Sequence, residues 1–135
     1  MSHEVINMAI YHEKDAGQKL SKHIKASEWK CKDGTEYFLW SAELISILEN
    51  VRNHFESAII INSAYRTPEW NNKVGGTKNS YHIKGMAADI RVKGHTSKEV
   101  AEYIAYKLMP DWGGVIRYTN FVHVDVRVDK YRKGV

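Results

Sequence analysis

The chain has 135 residues, 43% of them hydrophobic and 27% charged, with a formal net charge of +4 at pH 7; this is the size and make-up of one globular domain with a real core. No apolar run reaches the roughly 18–20 residues that cross a bilayer, and a single cysteine, Cys31, excludes an internal disulfide framework. The excess of Lys and Arg suits an anionic polymer, but it is spread along the chain and specifies no partner.

The opening residues, MSHEVINMAIYHEKDAG, show none of the basic head, apolar centre and small-residue cleavage site of a secretory signal, so synthesis in the cytoplasm is expected. Up to about residue 40 the patterning is weak. AGQKLSKHIKASEW suits a short helix or a turn, and KDGTEYF a turn leading into a strand-like piece. SAELISILENVRNHF is different. Leu44, Ile47, Leu48, Val51 and Phe55 recur at three- and four-residue spacing, and Ser41 stands where a helix N-cap belongs.

SAIIINSAYR then reads as a buried strand, with the β-branched Ile59, Ile60 and Ile61 in succession. TPEWNNKVGG predicts a short helix capped by Thr67, with Pro68 in its first turn and Gly75-Gly76 as its terminator. A loop around His82 leads into a strand from about Met86 to Val92. HTSKEVAEYIAYKLM is a second strong helix, opened by a Thr96-x-x-Glu99 capping box. GGVIRYTNFVHVDVRV gives two strands around a turn at Thr119-Asn120. Irregular alternation with a closing hairpin predicts an α+β domain, its sheet mainly antiparallel and its helices packed on one face. The whole of residues 1–135 is read as that single domain.

Side chains alternate faces along a strand. In FVHVDVRV the residues Val122, Val124, Val126 and Val128 share one side, and Phe121, His123, Asp125 and Arg127 the other. In GMAADIRV, Met86, Ala88 and Ile90 face one way, while Ala87, Asp89 and Arg91 face the other. If both strands lie in one sheet, Asp89 and His123 meet on its polar face, and His82 can fold back over them. Two imidazoles and a carboxylate make an open Zn²⁺ site, one that activates water and polarises a carbonyl. Singly, each residue has a plainer reading: His82 as a surface loop histidine, Asp89 and His123 as polar groups on an open sheet face.

SAYRTPEWNNKVGG and NSYHIKGMAADIRV, followed by GGVIRYTNFVHVDVR, resemble the zinc D-Ala-D-Ala carboxypeptidase family. That family includes bacterial peptidoglycan peptidases and phage endolysins, and shares its fold with the Hedgehog signalling domain. The family pattern Ser-x-His-x-x-Gly-x-Ala-x-Asp is met by Ser80, His82, Gly85, Ala87 and Asp89, with His123 as the last ligand; the best-matched stretch is 58–128. The resemblance implies Zn²⁺ on His82, Asp89 and His123, and hydrolysis of an amide in the stem or cross-link peptide of peptidoglycan. It implies Arg66 as the arginine that binds a substrate carboxylate or carbonyl, a task its planar fork suits; the plainer role is an ion pair with Glu69. Ser80, Tyr81 and Tyr118 are expected at the substrate, with Ser80 ordering its loop through backbone bonds.

One position departs from the family. Many relatives carry an acid three residues before the last His as general base, and here that residue is Asn120. Asp125, on the same strand face as His123, is the expected substitute. It either accepts the proton or orients His123 from behind; His95 and Glu69 are more distant candidates. Trp29, Trp40, Trp70 and Trp112 are read as core or groove walls, His3, His12, His23 and His54 as surface residues, and Cys31 as a buried small hydrophobe. The expected protein is a monomer acting on the cell wall, as a stand-alone phage or prophage lysis enzyme does, without nucleic-acid or membrane partners. The rival reading is a non-catalytic zinc-containing domain that binds the wall or belongs to a phage particle.

Overall fold

A computed structural model describes residues 5–135, so His3 lies outside the described residues. The strongest sequence signal holds up in three dimensions: α2 spans Ala42–Phe55, its first turn capped by the Ser41 hydroxyl, which accepts from the Leu44 N–H. Its buried face is Leu44, Ile45, Ile47, Leu48 and Val51. Before it come β1 (Ile6–Ile10), a short helix α1 (Ala26–Trp29) and β2 (Tyr37–Ser41). β1 and β2 pair antiparallel as a separate two-stranded ribbon. The N-terminal third thus holds a strand that the weak patterning does not announce. Met8 and Ile10 remain exposed on it, so alternation has little burial to report.

The main sheet has five strands in the order β3-β4-β6-β5-β7: β3 (Ile59–Ser63), β4 (Ala87–Val92), β5 (Gly114–Arg117), β6 (Val122–Asp125) and β7 (Tyr131–Lys133). All pairs are antiparallel except β5 with β7. The β5–β6 hairpin closes on Thr119-Asn120, with the Tyr118 N–H donating to the Phe121 carbonyl at 2.9 Å. Two expectations need correction. β3 is an edge strand, so Ile60 is 37% exposed and only Ile61 is buried. The helix expected over 95–109 is α-helical only as α4 (Ser97–Tyr103); Ile104–Leu108 continue as a π-helical turn. The Thr96–Glu99 capping box forms as the sequence predicts.

The core sits between the helices and the valine face of the sheet. Val122, Val124 and Val126 of the last hairpin, Ala88 and Ile90 of β4, and Leu44, Leu48 and Val51 of α2 are all buried there. Fully burying such side chains contributes about 1.5–3 kcal/mol each. That makes β4 and β6 a rigid floor. The opposite face of these two strands carries the polar residues. Cys31 and Trp29 are buried in the N-terminal part of the core, and α3 (Pro68–Lys73) is capped by Thr67 with Pro68 in its first turn.

A candidate metal centre on the open sheet face

In the β4–β6 register, Asp89 stands directly opposite His123 and Ala87 opposite Asp125. Directly opposed side chains on one face sit close enough to touch. His123 Nδ1 and Asp89 Oδ1 are 3.0 Å apart. His82 arrives from a run of tight turns between α3 and β4. Gly85 lets that chain turn: its φ is +72°, and a Cβ there would run into the backbone of Leu39. The Ser80 hydroxyl accepts from the His82 N–H at 3.2 Å, so Ser80 fixes the loop through backbone. His82 Nε2 then lies 3.2 Å from the same Asp89 Oδ1.

One ligand atom from each of His82, Asp89 and His123 falls within 4.8 Å of the others. Two atoms bound to a tetrahedral zinc at about 2.0–2.2 Å are about 3.3–3.6 Å apart. The separations of 3.0 and 3.2 Å are just inside that, so the donor set fits zinc with small adjustments. The far nitrogen of each imidazole is already engaged. His82 Nδ1–H donates to the Ala64 carbonyl at 2.7 Å, and His123 Nε2–H donates to Asp125 Oδ2 at 2.7 Å. These contacts orient both rings from behind and direct His82 Nε2 and His123 Nδ1 at Asp89, as the nitrogens that would take a metal.

Behind His123 the chain of contacts continues. Asp125 is fully buried. Its oxygens also accept from Arg127 Nε at 2.8 Å and from the Arg127 terminal nitrogen at 2.7 Å, a two-pronged ion pair. The guanidinium itself lies 4.5 Å from the Tyr81 ring centre and 4.6 Å from that of Tyr131, the geometry of a cation between two aromatic faces. Room for the carboxylate comes from Gly114, across the hairpin: any Cβ there would overlap the Asp125 side chain. The sequence signal for this gap is the Gly113-Gly114 pair at the entry to β5.

Burial raises the Asp89 pKa, but hydrogen bonds from His123 and His82 outweigh it and hold the carboxyl well below the usual carboxylate range. Asp125 is likewise raised by burial and lowered further by Arg127 and His123, with the same net result. Burial disfavours the His123 imidazolium, yet Asp125 and Asp89 on either side push it up to about 9.

The site opens into a cleft of about 560 Å³ whose walls include Arg66, Ser80, Tyr81, Tyr118 and Arg127. Arg66 reaches Asp89 Oδ2 at 3.4 Å, Asn71 Oδ1 at 3.1 Å and Ser63 Oγ at 3.0 Å; it does not pair with Glu69. The Tyr118 ring stacks on Phe121 at 4.5 Å. Of the two roles expected of Asp125, accepting the proton or orienting His123, its placement favours the second. That carboxylate is behind His123, both oxygens are occupied, and it forms no part of the cleft wall. Asp89 is the one carboxylate among the described residues lining the cleft. Asn120 and His95 belong to a neighbouring groove, and Glu69 is exposed on α3. Of the other singled-out residues, Trp70 is half-buried against the core, His23 is tied to Glu49 at 2.7 Å, and His54 stacks on Tyr103 at the surface.

Compared with known proteins, residues 15–125 match the family model described as Peptidase M15. The match begins well before the motif-bearing stretch of 58–128 and takes in α1, β2 and α2. No curated protein matches the chain.

Proposed function

The chain belongs to the peptidase M15 family, and from that premise we propose that it hydrolyses an amide bond in the stem or cross-link peptide of bacterial peptidoglycan, using zinc held by His82, Asp89 and His123. The observation that carries this reading is the convergence of three donors at ligand spacing, with both histidines oriented from behind. When bound, zinc polarises a carbonyl and lowers the pKa of a water to about 7.

The chain's own residues do the rest. Arg66, at the cleft wall and hydrogen-bonded to Asp89, binds a carboxylate or carbonyl of the peptide and steadies negative charge on the oxygen as it develops. Tyr118 and Tyr81 form walls against which the peptide lies. Ser80 holds the His82 backbone. Asp125 keeps His123 in the tautomer that presents Nδ1, and Arg127 keeps Asp125 ionised and still. No helix among the described residues is long and apolar enough to cross a membrane. The proposed setting is synthesis in the cytoplasm followed by action on the wall, as a phage or prophage lysis enzyme does.

A second reading, a zinc-containing wall-binding domain without turnover, draws on one fact: apart from Asp89, the described cleft wall offers no carboxylate to take a proton. The test is digestion of purified peptidoglycan by the zinc-loaded protein, with products identified by mass spectrometry, beside His123→Ala. New fragments that vanish in the variant name the bond cut. A folded, zinc-loaded protein that binds the wall and releases nothing would leave only the binding reading.

A further inference from the structure

The open sheet face does not end at the metal ligands. Arg91 follows Asp89 by two residues on the same face of β4, about 7 Å further along. From there a groove of about 960 Å³ runs past Ile60 and Asn62 of β3 to the turn after β4 and the β5–β6 turn. Arg91, Lys93, Lys98 and Arg117 line it, and no Asp or Glu does. Lys98 is paired with Glu102 at 3.1 Å. Arg91 bonds only the neutral Asn62 amide, at 3.3 Å. Among the described residues, Lys93 and Arg117 have no acidic partner.

The far wall is tied down: the Ser97 hydroxyl is 2.7 Å from the Tyr118 carbonyl and 3.1 Å from that of Thr119. This bridges the start of α4 to the β5–β6 turn. Tyr118 borders the metal cleft while Thr119 borders the groove, so the two hollows share that turn as a wall. Three uncompensated cations on a fixed surface make a region of positive potential that an anionic ligand fills.

We infer that this groove is a second recognition subsite, taking free carboxylates of the same peptide whose amide lies at His82, Asp89 and His123. An extended peptide advances about 3.4 Å per residue. A carboxylate two residues from the scissile amide therefore falls at Arg91 and the next one at Lys93, with Arg117 reaching the groove from β5 on its far wall. In the proposed reading, the anionic groups of that peptide are its free carboxylates. The inference rests on the proposed peptidase reading for the identity of the ligand, and it adds a specificity that the metal cluster does not supply: a preference for unmodified over amidated stem peptides.

The experiment uses two stem peptides of the same sequence, one with free side-chain carboxylates and one with those groups amidated. Each is titrated calorimetrically into the wild-type chain and into the triple variant Arg91→Gln/Lys93→Gln/Arg117→Gln, and turnover is followed in parallel. The wild type is expected to bind the carboxylate peptide about tenfold more tightly than the amidated one, the triple variant to bind both with the weaker affinity. The preference should shrink as salt is raised. In turnover, the triple variant should raise KM for the carboxylate peptide and leave kcat unchanged. His123→Ala should remove turnover and keep the binding preference.

A wild type that binds both peptides equally, or a triple variant that still discriminates, overturns the inference. So does a preference for a wall phosphodiester polymer over the carboxylate peptide. Preference without turnover leaves the subsite standing and removes the peptidase reading. Turnover without preference does the reverse.

Discussion

The metal cleft on the open face of the sheet and the basic groove that adjoins it at the end of β4 treat charge in opposite ways. In the cleft, each charged group faces an opposite charge: Asp89 is held by two histidines and Arg66, and Asp125 by His123 and Arg127. Among the described residues, no buried side-chain nitrogen or oxygen there lacks a hydrogen-bond partner. In the groove, cations outnumber their partners and remain exposed. The first arrangement fixes atoms to within tenths of an ångström at the cost of desolvation, which suits chemistry. The second leaves flexible charge in water, which suits attraction and selection. Changes in the cleft should thus be severe and local, and changes in the groove mild and ligand-dependent.

The largest effect should come from the ligands themselves. Asp89→Ala or His123→Ala should abolish stoichiometric zinc binding, read by metal analysis after dialysis, and lower turnover by about 10³-fold or more. Retention of a full equivalent of tightly bound zinc by both variants would sink the assignment of the site.

Next comes the support behind His123. Asp125→Asn keeps the shape but weakens the acceptor, and should cost about 10–100-fold in zinc affinity or activity. Gly114→Ala is the sharper probe, because it alters no ligand and no charged group. Its added methyl overlaps the Asp125 carboxylate and should destabilise the fold by about 1–3 kcal/mol while loosening zinc. A Gly114→Ala protein with unchanged zinc affinity would show that Asp125 does not control the ligand.

How much of this was legible in the sequence follows the same division. Strand alternation puts Asp89, Arg91, His123 and Asp125 on the polar face because their neighbours are valine, alanine and isoleucine, and the sheet places them so; beyond Asp125 the strand ends and Val128 is exposed. Ser41, Thr67 and Thr96 read correctly as caps because their bonds are local. What alternation cannot say is which neighbour a side chain turns toward. Asp125 and Asp89 flank the same imidazole, and only the register plus the Gly114 gap sends Asp125 to the back of it. The basic groove was invisible for a similar reason. Arg91 and Lys93 come from the end of β4 and the turn after it, Arg117 from β5, and their meeting in one groove depends on how α4 is bridged through Ser97 to the hairpin turn. β1 is hard to read because its pattern runs against burial: Met8 and Ile10 are exposed while Asn7 and Ala9 between them are half-buried.

A smaller, pH-dependent effect belongs to the cleft alone. The metal-free His123 titrates at about 9 rather than its ordinary 6.5. A raised folded-state value means its stabilisation is complete below about 6.5 and is lost as pH climbs through 9. Melting temperatures of the metal-free protein should therefore fall across that window. Zinc competes for the nitrogen that holds the proton, so zinc affinity should rise over the same range. A melting temperature of the metal-free protein that is flat from pH 6.5 to 9 would argue against the two-carboxylate embrace of His123.

The smallest expected change in stability is in the groove. Arg91→Gln/Lys93→Gln/Arg117→Gln removes exposed charges, of which only Arg91 makes a hydrogen bond, to a neutral amide. Exposed substitutions of this kind move stability by about 0.5 kcal/mol or less, and relief of mutual repulsion should push the sign toward stabilisation at low salt. The measurement is the urea midpoint of wild type and variant at two salt concentrations. A loss of about 2 kcal/mol or more would mean that these cations hold the sheet edge together. The groove would then be a structural element like the cleft, and the division between fixed and free charge would fail. An unchanged or slightly raised midpoint leaves the three cations without a structural task, and their cost in mutual repulsion is then best explained by a ligand that neutralises them.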